Sequence, residues 1–153
     1  MKSKILLTFY LCFSCTSLFA QETIYLISSS SAYNEDNLPL IKKAFNNKGY
    51  SIRTDYLDQQ LSDYGYVNTD RERANILIKA LNDPNVKYLW FLRGGSGALN
   101  LLPQLTTHIS EFKKMPKKVL IGFSDVTALH YFVNENLDWK SIHGSTAATG
   151  KDR

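Results

Sequence analysis

Val86 to Leu92 reads Val-Lys-Tyr-Leu-Trp-Phe-Leu, apolar or aromatic at every position except Lys87, and it stops abruptly at Arg93-Gly94-Gly95-Ser96-Gly97. The run has the continuous apolar character of a central strand covered on both faces. Such a strand needs other strands at its sides and helices above and below it. The rest of the chain must therefore supply the layers that cover it.

The flanking sequence supplies those partners. Thr23 to Ile27 is a β-branched and apolar run ending at Ser28-Ser29-Ser30, and Leu38, Ile41, Ala44 and Phe45 follow at helical spacing up to Lys48-Gly49. Ser51 to Tyr56 is a more polar strand, suited to a sheet edge. Gln59 to Asn68 is a polar loop, after which Thr69 or Asp70 caps a helix whose buried stripe is Ala74, Leu77, Ile78 and Leu81, closed by Asp83-Pro84. Beyond the glycine-rich turn, Ala98 to Leu105 is helical and Thr106 to Lys117 is a basic connector. Val119 to Ile121 is a further short strand, Asp125 to Asn136 a fourth helix, and Trp139 to Ile142 a fifth strand that stops at His143-Gly144. This alternation predicts a doubly wound, mostly parallel α/β sheet, in which ligands bind outside the carboxyl ends of the strands. Ser28 to Ser30, the Arg93 to Gly97 loop, Ser124 and His143 all fall at such ends, on one rim.

Ser124 occupies the most distinctive of these turns. Gly122 lets the chain turn sharply after the Val119 strand, and apolar residues at Val126, Leu129 and Val133 then keep helical spacing. Two readings stand side by side. Ser and Asp are preferred helix N-caps, and a serine at a strand-to-helix corner is equally where a nucleophile is presented to backbone N–H groups and the helix dipole. The Gly-x-Ser-x-Gly elbow of α/β-hydrolases is not matched, because Val126 stands where its second glycine would be. The Arg93 to Gly97 loop allows close approach of a ligand to the backbone, or is a plain tight turn. It is neither a Walker loop nor a dinucleotide fingerprint.

Met1 to Ala20 carries Lys2 and Lys4, an apolar run from Ile5 to Phe13, and Ser-Leu-Phe-Ala before Gln21, the layout of a secretory signal peptide. We expect export, with a periplasmic location, and cleavage after Ala20. Both cysteines, Cys12 and Cys15, lie in that segment, so the 133 residues after it hold no disulfide or thiolate chemistry. Loss of Lys2 and Lys4 leaves 16 basic residues against 14 acidic ones, too weak a bias for nucleic acid or an anionic membrane. No metal ligand spacing is visible among the histidines and acidic residues, no cofactor is expected, and a homodimer is compatible with the sequence.

Three motifs in this order resemble the LD-carboxypeptidase family, serine peptidases that include muramoyltetrapeptide carboxypeptidase and the microcin-immunity peptidases. They are Thr69-Asp70-Arg71-Glu72-Arg73-Ala74, then Arg93-Gly94-Gly95-Ser96-Gly97 followed by Leu101-Leu102-Pro103, and then Gly122-Phe123-Ser124-Asp125-Val126-Thr127-Ala128-Leu129. A weaker match is His143-Gly144, followed by Ser145 where the family usually has proline. The resemblance runs from about Thr23 to Gly144. It implies an N-terminal domain like that of class I glutamine amidotransferases, Ser124 as nucleophile, and an oxyanion hole made of the Gly95 and Asp125 backbone N–H groups. Arg93, Gly94, Ser96 and His143 would face the substrate, with Arg93 either a substrate clamp or one half of a structural ion pair. Arg73 is expected to pair structurally on its helix.

The implied reaction is removal of the terminal D-alanine from peptidoglycan stem tetrapeptides. A related implication is a peptidase of the immunity type acting on peptide-nucleotide conjugates, and the alternative is a non-catalytic domain of the same fold that binds muropeptides or other small peptides. The family's catalytic Glu and His lie in a C-terminal domain not present up to Arg153. The chain therefore reads as a leader at 1–20, a nucleophile domain at 21–144 and the start of a linker at 145–153, inactive alone. His130 does not replace the missing base: it lies six residues beyond Ser124, about 9 Å along a helix axis and well round the cylinder. His143 is the one histidine that ends a strand on the rim.

Overall fold

The computed structural model describes residues 21–148, apart from positions 61, 63 and 64. The segment read as a leader, 1–20, lies outside the described residues, as does 149–153. The chain runs β1 (Glu22–Ile27), α1 (Leu38–Asn46), β2 (Tyr50–Tyr56), α2 (Asp70–Asn82), β3 (Tyr88–Phe91), α3 (Leu102–Thr106), α4 (Ile109–Phe112), β4 (Val119–Gly122), α5 (Thr127–Leu137) and β5 (Lys140–His143), with 3-10 turns at Glu35–Asn37, Ala98–Leu101 and Ser124–Val126. The strands form one sheet in the order β2-β1-β3-β4-β5, and every neighbouring pair is parallel. The apolar run that opened the sequence reading is the central strand, and the polar second strand lies at an edge.

Alternation along the strands sorts side chains into two cores. Tyr25, Ile27, Leu89, Phe91 and Leu120 join Leu77 and Leu81 of α2, Leu105 of α3 and Leu129 and Val133 of α5 in the larger one. Ile24, Leu26 and Ile52 turn to the other face, where Ile41 of α1 covers them. Helix α2 begins at a complete capping box: the Thr69 side chain accepts from the Glu72 N–H, and the Glu72 side chain accepts from the Thr69 N–H.

Three local features depart from the sequence reading. The basic connector contains α4, because Ile109 and Phe112 fall one turn apart and Phe112 is fully buried in the larger core. The fourth helix starts as a 3-10 turn before its α-helical part begins at Thr127. Ser145 to Ala148, read as the start of a linker, run against the end of β3: the Ala147 and Ala148 N–H groups donate to the Phe91 and Leu92 carbonyls, and the Trp90 indole donates to the Ser145 carbonyl.

Candidate active site

Parallel pairing puts all strand C-termini on one side of the sheet, and the turns that leave them meet there. Ser124 is exposed, and its backbone lies in the left-handed region at φ 62°. That conformation is unfavourable for a residue with a Cβ, and it separates the two sequence readings. A capping serine would sit in extended backbone and accept an N–H bond. Here the extended residue before the turn is Phe123, at φ −148° and ψ 159°, and no side-chain cap bond is made. The hydroxyl of Ser124 is instead held outward on a sharp corner, without a hydrogen-bond partner among the described residues. Gly122 permits this corner, since a Cβ there would lie 2.7 Å from a Val126 methyl.

The glycine-rich loop closes on that corner. A Cβ on Gly94 would stand 2.9 Å from the Ser124 Cβ and 3.0 Å from the Phe123 carbonyl oxygen, so only glycine allows the two turns to approach this closely. Gly95 lies at φ 135°, packed against Ser31, and the Ser31 N–H donates to the Gly94 carbonyl at 3.3 Å. The exposed Ser96 hydroxyl donates to the Tyr66 hydroxyl at 3.3 Å. Arg93 is half-buried and donates to the Ala32 carbonyl at 2.7 Å. No carboxylate pairs with it among the described residues, so the ion pair weighed for Arg93 is not formed there.

His143, paired with Gly122 across β4 and β5, places its ring 5.2 Å from that of Phe123, next to Ser124. Its other ring neighbour is His130, edge-on at 6.1 Å. His130 is buried in the α5 layer, and neither of its ring nitrogens has a partner among the described residues. Burial, and then the neighbouring His143, push its pKa down, so the ring is neutral at physiological pH. His108, the residue before α4, pairs with Glu111 at 3.0 Å. The structure thus brings Ser124, Gly94, Gly95, Asp125 and His143 to one rim, and it brings no histidine into hydrogen-bond contact with Ser124.

Two side chains tie the turns of the rim together. The Asp125 carboxylate does not cap its own helix. It reaches across the rim, where one oxygen accepts from the Ser30 hydroxyl at 2.7 Å and from the Ala98 N–H at 2.9 Å. Arg73 is fully buried beneath the rim, donating to the Ser29 carbonyl and to Asp70, with its guanidinium 4.7 Å over the Tyr66 ring. It also explains Gly97, at φ 93°, where a Cβ would lie 2.9 Å from the guanidinium. A depression of about 580 Å³ opens beside the rim, lined by Tyr66, Asn68, Asp70, Arg71 and Asn100 rather than by Ser124. Among the described residues no group of acidic, cysteine and histidine side chains is placed to hold a metal ion.

A parallel doubly wound sheet with an exposed, left-handed serine at its rim defines the class as an α/β protein of the kind that binds ligands outside the carboxyl ends of its strands. Residues 24–144 match the LD-carboxypeptidase N-terminal domain, and the chain belongs to this peptidase family. A Rickettsia conorii protein assigned as a carboxypeptidase is 41% identical over 81 residues, which are 53% of this chain and 25% of that protein. Among solved structures, the MccF-like protein of Bacillus anthracis superimposes with a TM-score of 0.73 at 23% identity, over 82% of this chain and 38% of that one. Muramoyltetrapeptide carboxypeptidase from Oxalobacter formigenes gives 0.70 at 21%, over 86% and 42%. At those identities the structures establish the fold. The matches span about a quarter to two fifths of the relatives' lengths.

Proposed function

We propose that the chain is the nucleophile domain of a serine-type LD-carboxypeptidase that removes the terminal D-alanine from peptidoglycan stem tetrapeptides. The observation that carries this reading is the left-handed, outward-facing Ser124 pressed against Gly94. Backbone strain at an exposed polar side chain is kept where the side chain has work to do. Ser124 attacks the carbonyl of the scissile bond, and the Asp125 and Gly95 N–H groups, on turns that touch, receive the developing oxyanion. Arg93, Gly94, Ser96 and His143 surround the peptide. Family membership supports the peptidase class, and a muramoyltetrapeptide carboxypeptidase is among the proteins that share the fold. We assign the encounter with substrate to the periplasm, on the strength of the leader-like segment 1–20.

A serine without a base is a weak nucleophile, and no described side chain hydrogen-bonds to the Ser124 hydroxyl. The proposal therefore places the base outside the described residues and predicts that the 153-residue chain alone binds substrate without turning it over. That same observation favours a second reading, a muropeptide-binding domain with no peptidase activity in any form. The test is D-alanine release from a stem tetrapeptide by the protein purified from its natural source, with the Ser124→Ala variant beside it. Release that is lost in the variant supports the peptidase. Release that survives the substitution removes Ser124 from the chemistry, and tight binding without release supports the second reading.

A further inference from the structure

We infer that the Asp125 side chain is a positioning residue: through Ser30 and Ala98 it clamps the serine corner, the turn after β1 and the turn after β3 into one rigid donor array. The inference rests on the nucleophile reading of Ser124 and extends it to groups that do not touch the substrate.

The geometry is specific. The three turns come from three adjacent strands, β1, β3 and β4, and a single carboxylate oxygen joins them, holding Ser30 Oγ at 2.7 Å and the Ala98 N–H at 2.9 Å. Ser30 is fully buried, and the other hydrogen-bond partner of its hydroxyl is Ser29 Oγ at 3.4 Å. Ala98, also fully buried, is the first residue after the glycine-rich loop. Asp125 follows Ser124 directly, so fixing its side chain fixes the rotation of the peptide whose N–H is assigned to the oxyanion. Fixing Ala98 at the same oxygen ties down the end of the loop that carries the second donor, Gly95. Preorganised donors act only if their separation is held, and charge-assisted hydrogen bonds are strong enough to hold it against a strained backbone. No other described carboxylate bridges these turns.

The test uses the full chain and does not depend on a base. Ser124→Cys places a thiol on the corner, and its pH-dependent alkylation, followed by mass spectrometry of the peptide carrying position 124, reports how well the surrounding donors stabilise an anion. Donors of this kind lower a thiol pKa from about 8.5 by one unit or more. Adding Ser30→Ala, which deletes one clamp bond and leaves every charge in place, is expected to move the profile back up by at least half a unit and slow labelling at pH 7 about threefold or more. Adding Ser28→Ala instead is the control. That hydroxyl lies in the same turn but donates to the Ser31 carbonyl and not to Asp125, and its removal leaves the profile unchanged. A lowered pKa in the Ser124→Cys protein that Ser30→Ala does not move overturns the clamp and leaves the nucleophile reading standing. Equal effects of Ser30→Ala and Ser28→Ala also overturn it, since they mean general loosening of the turn. An ordinary thiol profile in the Ser124→Cys protein overturns both.

Discussion

Replacing Gly95 by alanine tests how tightly the glycine-rich loop is seated, and Gly49 supplies its internal standard. Both glycines have positive φ, 83° for Gly49 and 135° for Gly95. A Cβ at Gly49 would meet nothing within 4 Å, whereas one at Gly95 would overlap the Ser31 hydroxyl and lie 2.9 Å from the Ser31 Cβ. Gly49→Ala therefore isolates backbone strain. For a left-handed residue this is about 1–2 kcal/mol, partly offset by the lower entropy of the unfolded alanine chain, for a net loss of about 1 kcal/mol or less. Gly95→Ala adds an overpacking cost of about 1–3 kcal/mol and a φ outside the left-handed α region, for a total of about 3 kcal/mol. At roughly 4 °C per kcal/mol, the melting temperature should fall by about 10 °C or more, against about 4 °C or less for Gly49→Ala. Urea unfolding of both variants and of Gly95→Ala/Ser31→Gly measures the difference. The double variant should recover the steric part, a coupling of about 1–2 kcal/mol. If Gly95→Ala is no worse than Gly49→Ala, or Ser31→Gly recovers nothing, the described contact between the two turns is wrong.

Arg73→Ala should cost about 3 kcal/mol in urea unfolding, because it leaves a cavity under Tyr66 and strands the Ser29 carbonyl; a loss below about 1 kcal/mol would mean Arg73 is not buried as described. Asp83 is held below the usual carboxylate range, chiefly by the Tyr56 hydroxyl at 2.6 Å. Because its folded pKa is depressed, the stabilisation is complete above about pH 4 and disappears as pH falls through the folded value. Asp83→Asn should flatten that acid limb of the melting temperature, and an unchanged limb would contradict the assignment. Export predicts that the protein from its host begins at or near Gln21, and mass spectrometry finding intact Met1 in a soluble cytoplasmic pool would refute it.

The rim was legible in the sequence because its determinants are local. Apolar runs at Thr23–Ile27, Val86–Leu92 and Val119–Ile121 specify strands by composition and length, and parallel order follows from the helices between them. The conformation of Ser124 was not legible: Ser-Asp before an apolar helical stripe is the same string whether the serine caps the helix or sits at positive φ. The positive φ, the missing cap bond and the close approach of Gly94 tell the two cases apart only once the chain is folded. The Ser30–Asp125 bond joins residues 95 apart, which no local pattern encodes. The pairing of Arg73 on its own helix was legible, and Asp70 is its partner, but its burial beneath the Tyr66 ring depends on a loop that no local pattern places there. The short helix α4 was missed because two apolar residues one turn apart are too few to register as a period.

The identity of the nucleophile is tested most directly by labelling. The protein purified from its host is incubated with a serine-reactive phosphonate whose leaving side mimics a terminal D-alanine, and the adduct is located by peptide mass spectrometry. The account predicts one adduct, on Ser124, absent from the Ser124→Ala variant. An adduct on another rim serine, such as Ser31 or Ser96, or no adduct on any serine, would contradict it.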